Sequence, residues 1–193
     1  MFIPVVDENE ADGELEAVYA AARTRFGFVP DAVRVLSIRP EVASAMQQLR
    51  SVVLGDASTL GARRANLIGV AVSGMNHCEY CGTAHAGLLV RSGDFQNDEA
   101  VGVYQDWTKA DLPEADRAML RFAEKITFTP SDVDETDIEE LRSHGFSDVN
   151  VFDVVLLAAY RNFLNRIHDG LGVSTQRLVD RFGQDIVSAI AEL

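Results

Sequence analysis

Apolar residues recur at a helical period through almost every segment of this chain, and that pattern leaves little place for a sheet. Leu15, Val18, Tyr19 and Ala22 follow Asp12, a capping residue, and the run gives way at Gly27 and Pro30. Pro40-Glu41 opens a second helix whose apolar positions are Val42, Ala45, Met46, Leu49, Val52 and Val53. Ser58 or Thr59 starts a third, through Leu67 and Val70 to near Gly74. In the second half, Pro113-Glu114 begins a helix with Met119, Leu120, Phe122, Ala123 and Ile126 on one side, closed before Pro130. Thr136 and Glu139 read as a capping box for a short helix ending at Gly145. Ser147 or Asp148 opens the longest apolar segment, Val149 to Ile167, and the tail from Ser174 adds one or two helices around Gly183. With no repeat, low-complexity linker or composition break, the expectation is an all-α helical bundle forming a single domain over residues 1–193.

One segment carries chemistry. Asn76-His77-Cys78-Glu79-Tyr80-Cys81-Gly82-Thr83-Ala84-His85 holds the two cysteines of the chain and follows them with a histidine. On a helix Cys78, Cys81 and His85 fall at i, i+3 and i+7, which places all three on one face. Asn76 reads as the N-cap of a helix running to about Arg91 and stopped by Gly93. Cys78 then sits in the first turn, where unpaired N–H groups and the helix dipole favour thiolate. Cys81 lies one turn further in, four residues before His85 and within reach of its imidazole. Such a dithiol can attack an oxidant and then close a disulfide. Glu79, one residue from Cys78, projects about 100° away.

Three other readings of the motif are open at this level. Two buried structural cysteines leave the spacing to His85 unexplained. A zinc site would have Cys78, Cys81 and His85 as three ligands and lacks an evident fourth, so no metal and no other cofactor is expected. A thioredoxin-type Cys-x-x-Cys needs a strand before it, which the β-branched residues of 67 to 72 permit, while the rest of the chain reads as helix.

Charge and hydropathy narrow the setting. A net charge of −13 without a basic cluster argues against nucleic acid and anionic membrane surfaces. No apolar run approaches the roughly 18 residues of a membrane span, and Met1 to Asp7 does not read as a secretory leader, so a cytoplasmic protein is expected. A dithiol kept reduced there is more suited to catalysis than to structure. Near the end of the long apolar segment, Asn162, Asn165 and Arg166 share a face that fits either a polar pocket or oligomer contact, or a helix end meeting solvent. His144 and His168 read as surface or capping histidines, and Tyr104 and Trp107 as packing or interface groups.

Taken in order, Gly27-Phe28-Val29-Pro30, Arg39-Pro40-Glu41, Leu60 through His85, Leu120 to Lys125, Leu141 to Asp148 and Asn162 to Arg166 span nearly the whole chain. In these segments it resembles the AhpD-like alkylhydroperoxidases of the carboxymuconolactone decarboxylase superfamily, most closely their peroxidase-related branch. The resemblance implies an all-α AhpD-like bundle, assembly as a homo-oligomer (dimer, trimer or hexamer), and reduction of a hydroperoxide substrate at the cysteine pair with an external dithiol as reductant. It implies Cys81 as the thiol that attacks peroxide, Cys78 as its resolving partner and His85 as the relay histidine. Cys78, taken to be exposed at the helix end, would meet the reducing dithiol. The family places a glutamate twelve residues before the first cysteine, where this chain has Asn66, and Tyr80 replaces a histidine that some relatives carry between the cysteines. An amide can orient His85 but cannot accept its proton. A slow dithiol sensor or binding protein, and a carboxymuconolactone decarboxylase-like lyase independent of the cysteines, are therefore the alternative functions.

Overall fold

The computed structural model describes residues 1–54 and 58–193, and among these eleven α-helices and no strand are found. They are α1 (Gly13–Phe26), α2 (Asp31–Arg34), α3 (Pro40–Val53), α4 (Gly61–Met75), α5 (Glu79–Ser92), α6 (Asn97–Asp106), α7 (Glu114–Phe128), α8 (Glu135–Ser143), α9 (Asp148–Gly170), α10 (Gln176–Phe182) and α11 (Gln184–Ala191). The all-α expectation holds. Helix α4 is the centre of the packing and touches α5, α6, α7 and α9. Its residues Leu67, Ile68, Val70, Ala71 and Val72 are buried in succession because neighbours cover it on several sides. Helices α1 and α3 pair with each other beside this bundle and build a smaller apolar cluster around Leu15, Val18, Tyr19 and Ala43.

Several helix limits differ from the sequence reading, each for a local reason. The capping box of α8 is Asp134 with Asp137, two residues earlier than expected, since Asp134 accepts from the Thr136 N–H and Asp137 reaches back. Helix α4 begins at Gly61, because Thr59 is used elsewhere: its N–H and hydroxyl both donate to Asp153 on α9. Helix α6 was not anticipated, and it ends at a short 3₁₀ turn over Trp107–Lys109. Its polar first turn obscured the buried side formed by Ala100, Val103 and Tyr104, while the turn buries Trp107.

The turn between α4 and α5 sets the position of the cysteines. Asn76 does not start α5. It ends α4, and two backbone bonds close the end: His77 N–H donates to Gly74 O at 3.0 Å and Cys78 N–H to Ser73 O at 2.9 Å. This is a Schellman pair, which requires a left-handed residue at its centre. The same pair closes α5, α8 and α9, with Gly93, Gly145 and Gly172 in the left-handed place. At the cysteine turn that place is held by His77, at φ 57° the only non-glycine residue with positive φ among the described residues. Histidine tolerates this region better than most side chains, but a β-branched residue does not.

His77→Val is therefore expected to cost about 1–2 kcal/mol of stability, whereas His77→Gly keeps or raises it. For a chain of this size about 1 kcal/mol shifts the midpoint of thermal unfolding by roughly 2–4 °C. Equal midpoints for the two variants would show that the turn does not depend on the left-handed residue.

Candidate active site

Helix α5 starts at Glu79 with Cys78 as its N-cap, so Cys81 occupies the first turn. This moves the helix-end effect from Cys78, where the sequence reading put it, to Cys81. Both thiols are buried and reduced. The expected exposure of Cys78 is thus corrected: the Schellman turn folds it inward against α4, while Cys81 faces a cavity.

The hydrogen-bond partner of Cys81 is a histidine that the sequence reading took as a surface or capping residue. Cys81 Sγ lies 3.0 Å from Nδ1 of His168, which is buried at the end of α9. Tyr80 meets the His168 ring edge-on at 5.4 Å between centroids and holds it against the cysteine. The neighbouring Cys78 thiol is the largest influence holding the Cys81 thiol below its ordinary range, aided by His168 and by the Arg161 guanidinium against the opposing effect of burial. Cys78 is pushed up, first by its neighbour Cys81 and then by burial. One proton and one negative charge are thus divided unequally between two adjacent sulfurs, with Cys81 the thiolate.

His85 is placed differently from expectation. Its Nδ1 is 2.9 Å from Asn66 Oδ1, and Asn66 Nδ2 donates to Ala62 O at 2.9 Å, which fixes the amide with its oxygen toward the ring. Nδ1 must therefore carry the hydrogen, leaving the Nε2 lone pair free. Burial holds the imidazole well below its ordinary pKa, with Arg161, Arg50 and His168 pressing in the same direction, so His85 is a neutral base. Gly69 makes room for it, since a Cβ there would stand 2.6 Å from the ring. The contact anticipated between Asn66 and His85 exists. The anticipated contact between His85 and Cys81 is replaced by the one to His168.

Helix α9 supplies the other wall. Arg161, Asn165 and His168 recur at i, i+4 and i+7 and are all buried. Asn165 docks the helix on α4 by accepting from Ser73 Oγ and donating to Val72 O, both at 3.4 Å, while Asn162 accepts from Asn76 at 2.8 Å. The asparagines therefore tie α9 to the cysteine turn, and Arg166 is exposed and merely braces Asn162. A polar stripe at helical spacing inside the most apolar segment was the signal that could have revealed Arg161 and His168.

Cys81, His85, Arg161 and His168 line one cavity of about 430 Å³, walled by apolar side chains of α1, α3, α5, α9 and α10. A more open depression of about 560 Å³, bordered by Arg63, Asp94, Asp98 and Lys109, contains neither thiol nor imidazole. A buried thiolate beside two imidazoles and a thiol, facing an apolar cavity, can act as a nucleophile toward a small electrophile and can then form a disulfide.

Comparison with known proteins bears on the family and the fold. The carboxymuconolactone decarboxylase family matches residues 40–98, which include Asn66, both cysteines and His85. The chain superposes on the alkylhydroperoxidase AhpD core of an uncharacterized peroxidase-related protein from Ralstonia eutropha JMP134, with a TM-score of 0.84, 29% identity and 90% of each chain covered. A peroxidase-related protein from Silicibacter sp. TM1040 gives 0.80 at 24% identity, covering 94% of this chain and 95% of the other. A cysteine-to-alanine variant of the debrominase Bmp8 in complex with 2,3,4-tribromopyrrole gives 0.76 at 19%, covering 100% and 96%. A search of curated protein sequences found no significant match. The family match over residues 40–98 and the AhpD-like fold together support membership of the AhpD-like carboxymuconolactone decarboxylase superfamily. The same similarities support a peroxidase-related enzyme as the broad class. Among the described residues no helix is long and apolar enough to cross a membrane.

The unequal sharing of charge is directly measurable. Ultraviolet titration of the reduced protein is expected to show one thiolate forming below the ordinary thiol range of about 8.5 and a second thiol that resists ionisation above it. Cys81→Ser removes the low titration. Retention of that titration in Cys81→Ser and its loss in Cys78→Ser would reverse the assignment.

Proposed function

We propose that this protein reduces hydroperoxides with Cys81 as the attacking thiolate, Cys78 as the resolving thiol and an external dithiol as the reductant. The observation that carries the reading is the 3.0 Å approach of Cys81 Sγ to His168 Nδ1 at the wall of a cavity, with the Cys78 thiol on the other side. Cys81 attacks one peroxide oxygen, the O–O bond breaks, and the departing alkoxide takes a proton relayed from solvent through His168 and leaves as the alcohol. Cys81 becomes a sulfenic acid. The Cys78 sulfur then displaces the hydroxyl group of that acid, its own proton leaves with the hydroxyl as water, and a disulfide forms. The external dithiol returns two electrons and two protons to the pair. Its route is through the cavity to Cys81 or by opening of the turn at residues 76–78, because Cys78 is wholly enclosed.

Asn66 is consistent with this chemistry once His168 is taken into account. The proton that a relay through His85 would have to carry can be carried by His168, which touches the sulfur. Asn66 then serves to fix the Nδ1–H form of His85, so that Nε2 can relay the Cys78 proton to the departing hydroxyl group during disulfide formation. Cys78, Cys81, His85 and His168 are the proposed catalytic residues, with Asn66 a positioning residue.

Mass spectrometry after one equivalent of peroxide tests the division of labour. Cys78→Ser is expected to accumulate a dimedone-trapped sulfenic acid at Cys81, wild type to form the disulfide, and Cys81→Ser to lose the reaction. A sulfenic acid confined to Cys78 would falsify the assignment.

The two histidines are separated by rate. His168→Gln is expected to slow oxidation of Cys81 near neutral pH by about a hundredfold, the ordinary size of a lost general acid or base. Asn66→Ala, which leaves His168 in place, slows that step by no more than about threefold and instead retards disulfide closure, a weaker effect because it acts through ring orientation. A large loss of the first step in Asn66→Ala, with little in His168→Gln, would return the relay to His85.

A further inference from the structure

The cavity beside Cys81 is lined by Arg25, Arg50, Arg161 and Arg181, and its described lining contains no acidic residue, in a chain whose net charge is −13. Segregation of positive charge to an apolar cavity in so acidic a chain marks a place for an anion, because a low-dielectric cleft focuses the field of its walls. Three of the four arginines have other engagements. Arg25 and Arg50 lie over the Phe26 ring at 5.7 and 4.9 Å, and Arg181 donates to Phe26 O. Arg161 also lies over a ring, that of Tyr160 at 5.5 Å, but it is 3% exposed, and its Nε and Nη2 have no hydrogen-bond partner among the described residues. A guanidinium buried with unmade bonds bears the full desolvation of those donors, which a bound group with two acceptors would relieve. The planar fork of arginine matches a carboxylate.

Position adds the second half of the argument. Arg161 and His168 are two turns apart on one face of α9, and His168 holds the sulfur of Cys81. A single ligand can therefore place an anionic end at Arg161 and a reactive end at Cys81. The remaining walls, among them Val18, Phe28, Met46, Leu164 and Leu178, are apolar, and a volume of about 430 Å³ falls within the roughly 300–1,000 Å³ usual for small-ligand pockets.

We propose that Arg161 receives the carboxylate of an amphipathic substrate, a small apolar hydroperoxy acid, whose hydrocarbon body lies against these walls and whose hydroperoxide meets Cys81. The hydroperoxide part of this assignment rests on the peroxidase reading given above. The carboxylate part does not.

Binding of decanoate and decanol to the reduced wild-type protein, compared by calorimetry near neutral pH, tests the carboxylate part without any peroxide. Decanoate is expected to bind at least about tenfold more tightly, the size of a charge-assisted hydrogen bond. The preference should collapse in Arg161→Met, which keeps an apolar side chain of similar length. No preference in wild type, or one that survives in folded Arg161→Met, overturns the proposal. A crystal structure of wild type with decanoate addresses the case in which that variant fails to fold: the carboxylate is expected within hydrogen-bond distance of Arg161, and a carboxylate on Arg50 or Arg181 instead overturns it. A parallel kinetic arm compares oxidation of Cys81 by the hydroperoxide of a free aliphatic acid and by that of its methyl ester, with the acid expected to react about tenfold faster at limiting concentration. Decanoate bound at Arg161 with no oxidation of Cys81 by either peroxide supports the anion site and removes the peroxidase reading. Equal rates for acid and ester, with no decanoate preference, remove the anion site and leave the peroxidase.

Discussion

A thiolate enclosed by protein needs donors to replace the water it has lost, and the rest of this site follows from how Cys81 obtains them. An isolated buried anion would recover its proton, since burial alone raises a thiol's pKa. Here the neighbouring Cys78 thiol, the His168 imidazole at 3.0 Å and the positive charge of Arg161 act together on one sulfur and reverse that direction. The arrangement has a chemical consequence beyond acidity. In the proposed cycle the group that most favours the Cys81 anion is also the thiol that later attacks it, so the restraint on Cys78 weakens when Cys81 is oxidised. Activation of the first sulfur and restraint of the second are then two aspects of one pairing.

The fold supplies that convergence by fixing two junctions. At the first, the left-handed His77 turns the chain so that Cys78 is folded beneath the start of α5 and Cys81 occupies its first turn. At the second, Asn162 and Asn165 tie α9 to the same turn, which brings His168 to Cys81 across 87 positions of sequence. Neither junction is a strong source of stability in itself, as each consists of a few neutral hydrogen bonds worth about 1 kcal/mol apiece. Their value is positional, because an apolar bundle of these helices could tolerate sliding by fractions of a turn that the pair Cys81–His168 could not.

Local signals in the chain were enough for the architecture and for part of the site. Apolar spacing located α1, α3, α7 and α9, and Gly93 marked the end of α5 as a left-handed cap. The close spacing of Cys78, Cys81 and His85 singled out the redox segment, while it was the family resemblance that put Asn66 behind His85, where the structure has it bonded to the ring. The errors came where a residue has two local meanings. Asn76 is a good N-cap and an equally good end for the preceding helix, and the decision rests on His77 entering the left-handed region, which a sequence reader expects of glycine. His168 near the end of a helix looks like a cap until the packing of α9 against the cysteine turn is known. Arg161 was passed over because a single arginine in an apolar run ordinarily reaches the surface. What neither residue's neighbours disclose is the tertiary contact that keeps both inside.

Replacement of the glutamate expected by family resemblance with Asn66 can be understood as part of the same balance of charge. A glutamate at that place would favour protonated His85, adding a cation to a cavity already holding Arg161 and Arg50. The amide accepts from Nδ1 without making that demand and leaves His85 neutral. With Arg161 able to stabilise an anion and His168 beside the sulfur, the burden on His85 changes from carrying charge to presenting a lone pair. The substitution therefore need not weaken the chemistry. Within the proposed chemistry the permanent charge of Arg161 comes from α9 and the neutral imidazole of His85 from α5, so the two helices meeting at Cys81 supply a cation and a lone pair to one cavity.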